Sequence, residues 1–136
     1  MAALIQRWAR SNGAHVVFAV IAMGGWAVFA NASTDFAHAF LAGAVQGSIS
    51  GAITLGLKRF LESASKRLIG PWAALLPPMI SCAVILGVLV IAHELAGTRR
   101  LWATISIPYA VSSSYAFIYT AMIVRQRERP AGAPTS

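Results

Sequence analysis

Charged residues are scarce in this chain of 136 residues, since Asp, Glu, Lys and Arg make up only 11% of it. Soluble domains carry about 25% charged residues, so the composition argues against an ordinary soluble protein. Cysteine is nearly absent as well, because Cys82 is the only one. An internal disulfide and a cysteine-based metal site are therefore both excluded.

The few charges leave four long uncharged stretches that hold most of the chain. They are residues 11–34, 36–57, 68–93 and 101–124. A helix needs about 20 apolar residues to cross a hydrocarbon core about 30 Å thick, and the period-2 alternation of a membrane β-strand is absent. We therefore predict an all-α integral membrane protein, a compact bundle of four transmembrane helices. The predicted spans are residues 14–31, 37–57, 73–92 and 102–124.

No Asp, Glu, Lys or Arg lies inside any of the four stretches. An intramembrane charge usually marks a functional site because burying it is costly, so proton-coupled antiport lacks its usual carrier here. The sequence also lacks a nucleophile elbow and a phosphate-binding glycine loop after a strand. His93 and Glu94 do not complete a zinc-protease signature, since no second histidine follows at the required spacing. We expect no enzymatic activity and no cofactor.

The basic residues lie between and beyond the uncharged stretches. With a cytoplasmic N-terminus, nine of them face the cytoplasm and two face outward. The nine are Arg7, Arg10, Lys58, Arg59, Lys66, Arg67, Arg125, Arg127 and Arg129, and the two are Arg99 and Arg100. The positive-inside rule thus predicts that both termini are cytoplasmic, and we place the chain in a bacterial inner membrane. Membrane topology accounts for the formal net charge of +7 without a nucleic-acid partner.

The first span has an alternative interpretation as a cleaved secretory signal. Arg7 and Arg10 precede an apolar run, and residues 30–32 read Ala-Asn-Ala, which is similar to a cleavage site. The run from His15 to Ala30 is slightly longer than the about 7 to 15 apolar residues of a signal. This length favours a retained span.

Span two carries two neighbouring rows of residues that each repeat every four positions. The glycine row is Ala39, Gly43, Gly47 and Gly51, and the polar row is Gln46, Ser50, Thr54 and Lys58. Rows of small residues let membrane helices approach closely, so the glycine row predicts helix packing. The polar row cannot profitably face lipid tails. It either adds to helix packing, which we favour, or lines a watery path for a solute.

Residues 58–69 are predicted to continue span two as an amphipathic cytoplasmic segment. One side of this segment carries Phe60, Leu61, Ala64 and Leu68. Glu62 lies four residues from both Lys58 and Lys66, a spacing that supports a helix. The cations available to anionic lipids are Lys58, Arg59, Lys66 and Arg67, at about 1 kcal/mol each. A solvated basic loop is the alternative.

Prolines interrupt the pattern in spans three and four. Pro77 and Pro78 predict a kink or a restart of span three, because proline removes a helical donor and clashes with the preceding turn. In span four, Pro108 frees the carbonyl group of Thr104 in the same way. One face of span four carries Ser112, Tyr115 and Tyr119. We expect their hydroxyl groups to pair with the polar row of span two.

Two regions outside the spans also carry predictions. Arg99 and Arg100 form a candidate outer site for an anion or a lipid phosphate, and the alternative is that Glu94 offsets one of them. No metal site is expected, because the histidines near these loops lack short, regular ligand spacing. The transmembrane domain is predicted over residues 1–126, and residues 127–136, basic and then rich in Pro and Ala, are predicted to be disordered.

Three functions are compatible with these features. The leading one is a non-enzymatic packing subunit of a homo-oligomer or a larger membrane complex, associating through the face of span two that carries the two rows. The second is a small channel or transporter that moves an ion, a small solute or a lipid along the uncharged polar residues. The third is a holin-like protein that forms membrane lesions.

Overall fold

Four helices form the described part of the chain in a computed structural model, which describes residue 1 and residues 12–129. The helices are α1 (Asn12–Ala30), α2 (Phe36–Lys66), α3 (Trp72–Leu95) and α4 (Leu101–Glu128). All four are long and apolar enough to cross a membrane. The predicted all-helical architecture, with four helices of membrane-spanning length, is therefore confirmed.

Short loops join consecutive helices, so neighbours along the chain run in opposite directions. Loops 31–35 and 96–100 lie at one end of the bundle, which we call the two-loop end. At the other end lie loop 67–71, the start of α1 and the end of α4. We call this the basic end, after the cations of α2 and α4. Helices α2 and α4 contact each other across the middle, and α1 and α3 each contact both of them from opposite sides.

Helix α2 extends well beyond the length of a simple span. Its 31 residues correspond to a length of about 46 Å, against a hydrocarbon core of about 30 Å. The predicted continuation past residue 57 is helical through Lys66. In this extension Leu61 is fully buried, whereas Lys58 and Arg59 are exposed. The segment thus presents an apolar side to the bundle and a basic side to the surroundings.

Prolines do not divide α3 or α4. Helix α3 begins at Trp72, directly after Pro71, and continues through Pro77 and Pro78 to its end. The predicted restart of span three therefore does not occur. Helix α4 passes through Pro108 and reaches Glu128, so the first residues assigned to the disordered tail are helical. Residues 130–136 of that tail lie outside the described residues.

The apolar core lies between α2, α3 and α4. Its buried members are Leu57, Leu61, Ile85, Leu89, Ile105 and Ala116. Helix α1 contributes no member to this cluster. It is held instead by the glycine row of α2 and by polar bonds at the two-loop end.

Candidate functional site

The glycine row of α2 packs directly against α1. Ala39, Gly43, Gly47 and Gly51 are all buried. A Cβ atom added at Gly47 would lie 2.9 Å from the Val20 carbonyl oxygen, and one added at Gly43 would lie 3.0 Å from the Gly24 carbonyl oxygen. Both distances are too short for a Cβ atom beside backbone. Glycine at these positions is therefore what lets the two helices approach so closely.

This packing corrects one expectation about α2. We expected the face that carries the glycine row to contact another subunit, but α1 of the same chain covers that row. Because α1 packs closely against the glycine row, the surface of this row is covered. An association with another protein through α2 would therefore use a different face of this helix.

A second row of small residues lies on a different face of α2, and the sequence analysis missed it. Ala44, Ser48, Ala52 and Gly56 also recur every four positions, and all four are exposed. We call them the exposed row. A Cβ atom added at Gly56 would meet no atom within 4 Å. Beside Gly56, a notch of about 220 Å³ opens between α2 and α3.

The polar row of α2 begins in a buried network around His93. Gln46 and His93 are both fully buried. The His93 Nε2 atom lies 2.9 Å from Gln46 Oε1, and Gln46 Nε2 donates to Ser50 Oγ at 2.9 Å. The other ring nitrogen, Nδ1, lies 2.8 Å from the Thr98 hydroxyl group. Because an amide oxygen only accepts, His93 Nε2 carries the proton and Nδ1 accepts from Thr98.

A second buried group ties α1 to α4 at the two-loop end. Asn31 Nδ2 donates to Thr104 Oγ1 at 2.7 Å, and Asn31 Oδ1 accepts from the backbone N–H of Arg100 at 3.2 Å. The Trp26 indole N–H donates to the Ala103 carbonyl oxygen at 3.0 Å. The His93 network joins α2 to α3, so the buried bonds in this half of the bundle link the helices in two pairs, α1 with α4 and α2 with α3.

The other members of the predicted path line a cavity nearer the basic end. The cavity has a volume of about 460 Å³ and lies between α1, α2 and α4. We call it the three-helix cavity. Thr54, Ser112, Tyr115 and Tyr119 all contribute to its wall. The structure thus divides the predicted polar path into the buried start of the polar row and a separate cavity.

The hydroxyl groups of α4 do not pair with the polar row as expected. The Tyr119 hydroxyl donates to Glu62 Oε1 at 2.5 Å. The Thr54 hydroxyl donates within its own helix, to the Ser50 carbonyl oxygen at 2.8 Å. Tyr115 stacks on Tyr119 with ring centroids 5.2 Å apart. Glu62, rather than the polar row, is therefore the residue of α2 that holds the aromatic face of α4.

The two loops at the two-loop end meet. Arg99 Nη2 lies 3.6 Å from Asp35 Oδ2, and Arg100 Nη1 donates to Ser33 Oγ at 3.4 Å. The carboxylate beside an arginine is thus that of Asp35. The alternative prediction had named Glu94 as the residue that offsets one of the two arginines. Because both arginine side chains have protein partners, this loop cluster is a weaker candidate for an anion site than the sequence indicated.

Asp35 has a structural role at the start of α2. Its carboxylate accepts from the His38 backbone N–H at 3.0 Å and from His38 Nδ1 at 2.7 Å. The side-chain hydrogen bond from His38 is the main reason that the pKa of Asp35 is lowered, and the backbone N–H of His38 and the charge of Arg99 add to it. Among the described residues, no three His, Cys, Asp or Glu side chains are grouped so that they could hold a metal ion.

The roles of His93, Asn31 and Glu62 were not predicted from the sequence. His93 and Asn31 are polar residues at or near the ends of apolar stretches, and such groups must find partners when they lie in a membrane, which was the available signal. Glu62 lies beyond its stretch, where its spacing to the lysines was the only local signal. Their partners lie 47, 73 and 57 positions away, so no local pattern could identify the pairs.

Comparison with known proteins adds no assignment to this site. The chain matches no family model, no curated protein and no solved structure. Its function has to be inferred from its own residues and contacts.

Proposed function

We propose that this protein is a non-enzymatic, multi-pass membrane protein that acts as a packing subunit, associating with copies of itself through the exposed row of α2. The row is the observation that carries the proposal. Ala44, Ser48, Ala52 and Gly56 offer close backbone approach on a face that none of the four described helices covers.

Lipid is a poor occupant of such a face. Helix association in a bilayer depends on dispersion contacts, and rows of small residues maximise them by bringing two backbones together. The Ser48 hydroxyl already donates to the Ala44 carbonyl oxygen at 2.8 Å, so it needs no partner from outside. The notch beside Gly56 gives a side chain of the second helix a place to insert.

Two copies of the row complement each other. In a twofold contact the same surface of each copy is used, and a row of small residues packs well against an identical row. Association with a different protein in a larger complex is the other outcome. Either association would give a mass above that of a single chain.

Mass measurement in mild detergent tests this proposal. The wild type is expected to migrate as an oligomer or a complex, and Ala52→Leu is expected to release the monomer. Ala83→Leu makes the same change at an exposed position of α3 and should leave the mass unchanged. A monomeric wild type, or an Ala52→Leu variant with the wild-type mass, would sink the proposal.

A permeation role is the second proposal, and the three-helix cavity favours it. The cavity offers hydroxyl groups in the half of the bundle nearer the basic end. Passage to the two-loop end would require the network of Gln46 and His93 to open, since both are fully buried. Liposomes containing the purified protein would test this role, and the absence of flux for ions, amphiphiles and lipid headgroups would count against it.

The proposed placement in the membrane rests on where the basic residues lie. We place the basic end on the cytoplasmic side of a bacterial inner membrane, because cations concentrate there. We also propose that α1 is retained, because cleavage after Ala32 would remove the helix that covers the glycine row and would remove Asn31 from Thr104. An intact mass that lacks residues 1–32 would contradict retention.

A further inference from the structure

The three-helix cavity has the size and chemistry of a binding site. Its volume of about 460 Å³ lies within the range of about 300–1,000 Å³ that is typical of small-molecule sites. Its wall combines cationic, hydroxyl and apolar side chains from three helices. We propose that the cavity binds one anionic phospholipid, with its phosphate at Lys58 and Arg59 and an acyl chain between α1 and α4. This proposal is independent of self-association.

Two cations lie at the end of the cavity nearer the basic end. Lys58 and Arg59 both line it, and both are exposed. Among the described residues, Glu62 forms no ion pair within 4.0 Å with Lys58 or Lys66, although its spacing predicted one, and it accepts a hydrogen bond from Tyr119. Among residues 12–129, no carboxylate lies within 4.0 Å of Lys58 or Arg59. Two cations without an ionic partner beside a cavity suit a phosphate group.

The deeper wall of the cavity is apolar. Phe18, Ala19 and Met23 of α1 and Val111 of α4 line it. Met23 lies roughly 16 Å along α1 from the basic end, so the apolar part points into the membrane. Phe18 is 71% exposed and Val111 is 50% exposed, which shows that the cavity opens sideways between α1 and α4. An acyl chain can therefore enter from the bilayer without crossing water.

Hydroxyl groups line the same cavity. The Ser112 and Tyr115 side chains contribute to the wall, and their hydroxyl groups can donate to ester or phosphate oxygens. Tyr119 is held by Glu62 and keeps Tyr115 stacked against it. A free phosphate ion would leave the apolar part of the cavity unfilled. The combination of cations, hydroxyl groups and apolar surface thus favours a lipid.

Native mass spectrometry of the full chain in a neutral mild detergent tests this proposal. Phosphatidylglycerol and phosphatidylcholine of equal acyl length are the probes. We expect one phosphatidylglycerol to bind about tenfold more tightly than phosphatidylcholine, and Lys58→Gln/Arg59→Gln to weaken its binding about tenfold. The control Lys66→Gln/Arg67→Gln removes the same charge at the same end, outside the cavity wall, and should change the affinity less than about threefold.

A second variant tests the apolar part. Ala19→Leu adds bulk inside the cavity and is expected to weaken phosphatidylglycerol binding, with helix content and elution volume unchanged. Equal losses of phosphatidylglycerol affinity in the two double variants would show that general surface charge causes the binding. That result would overturn the site. Unchanged binding by Ala19→Leu, or competition by inorganic phosphate at the lipid concentration, would also overturn it.

Discussion

His93 is the clearest example of a residue whose role depends on a distant partner. It is fully buried, and its two ring nitrogens face Gln46 and Thr98 at 2.9 and 2.8 Å. Both nitrogens are thus satisfied with the ring in its neutral form. The residue joins α3 to α2 through its bond to Gln46.

Replacing His93 with leucine should destabilise the bundle. The change removes the donor to Gln46 and leaves a buried amide oxygen without a partner. Hydrogen bonds between membrane helices average about 0.6 kcal/mol, and an unsatisfied buried group adds to the loss, so we expect about 1–2 kcal/mol. Thermal unfolding in mild detergent measures this loss. Adding Gln46→Leu should recover part of it, and a strictly additive double variant would contradict the direct bond.

Asp35 should make the stability of the two-loop end depend on pH. Its pKa is lowered mainly by the hydrogen bond from the His38 side chain, so its contribution is present above the unfolded-state pKa of about 3.9 and is lost as the pH falls through the lower folded-state pKa. The melting temperatures of wild type and Asp35→Asn should therefore differ at pH 6, and the difference should begin to shrink only as the pH falls below about 4. A difference that persists at low pH would show that the charge of Asp35 is not the cause.

Helix α2 carries two rows of small residues that serve different purposes at the scale of the element. The glycine row receives α1 at backbone contact, whereas the residues of the exposed row are left uncovered by the four described helices. Both rows have the same four-residue period. The difference in their roles lies in what surrounds them and not in their period.

Matched glycine-to-alanine changes in the two rows should have opposite effects. Alanine at Gly47 places a Cβ atom 2.9 Å from the Val20 carbonyl oxygen, and overpacking of this kind costs about 1–3 kcal/mol. Alanine at Gly56 meets nothing within 4 Å and gains up to about 1 kcal/mol of helix propensity. Unfolding measurements on Gly47→Ala and Gly56→Ala test the assignment. Equal changes in stability would show that the two rows are not distinct.

The helices were predictable because charges are excluded from a hydrocarbon core, and the uncharged stretches follow directly from that rule. The packing role of Gly43 and Gly47 followed from their period. The identity of the partner did not, because a period defines a face of a helix but not the helix that covers it. The links from Asn31 to Thr104 and from Tyr119 to Glu62 were unpredictable for a related reason, since each joins residues far apart in the chain.

The whole molecule has two unlike halves. Toward the two-loop end, a buried hydrogen bond of Asn31 joins the end of α1 to α4, and one of His93 joins α3 to α2. Toward the basic end, Tyr119 and Arg127 of α4 bond to α2, while the three-helix cavity separates α1 from α4. We expect ligand-dependent changes to concentrate in the half that contains the cavity.

Cysteine cross-linking in native membranes tests most directly the claim that the exposed row joins two copies of the chain. In a Cys82→Ser background, Ala52→Cys would be the only cysteine of the chain, and oxidation is expected to give a covalent dimer. The matched control is Ala83→Cys, on an exposed face of α3, which should remain monomeric. The absence of a covalent dimer in Ala52→Cys would contradict the proposed association. An equal yield of dimer in Ala83→Cys would also contradict it.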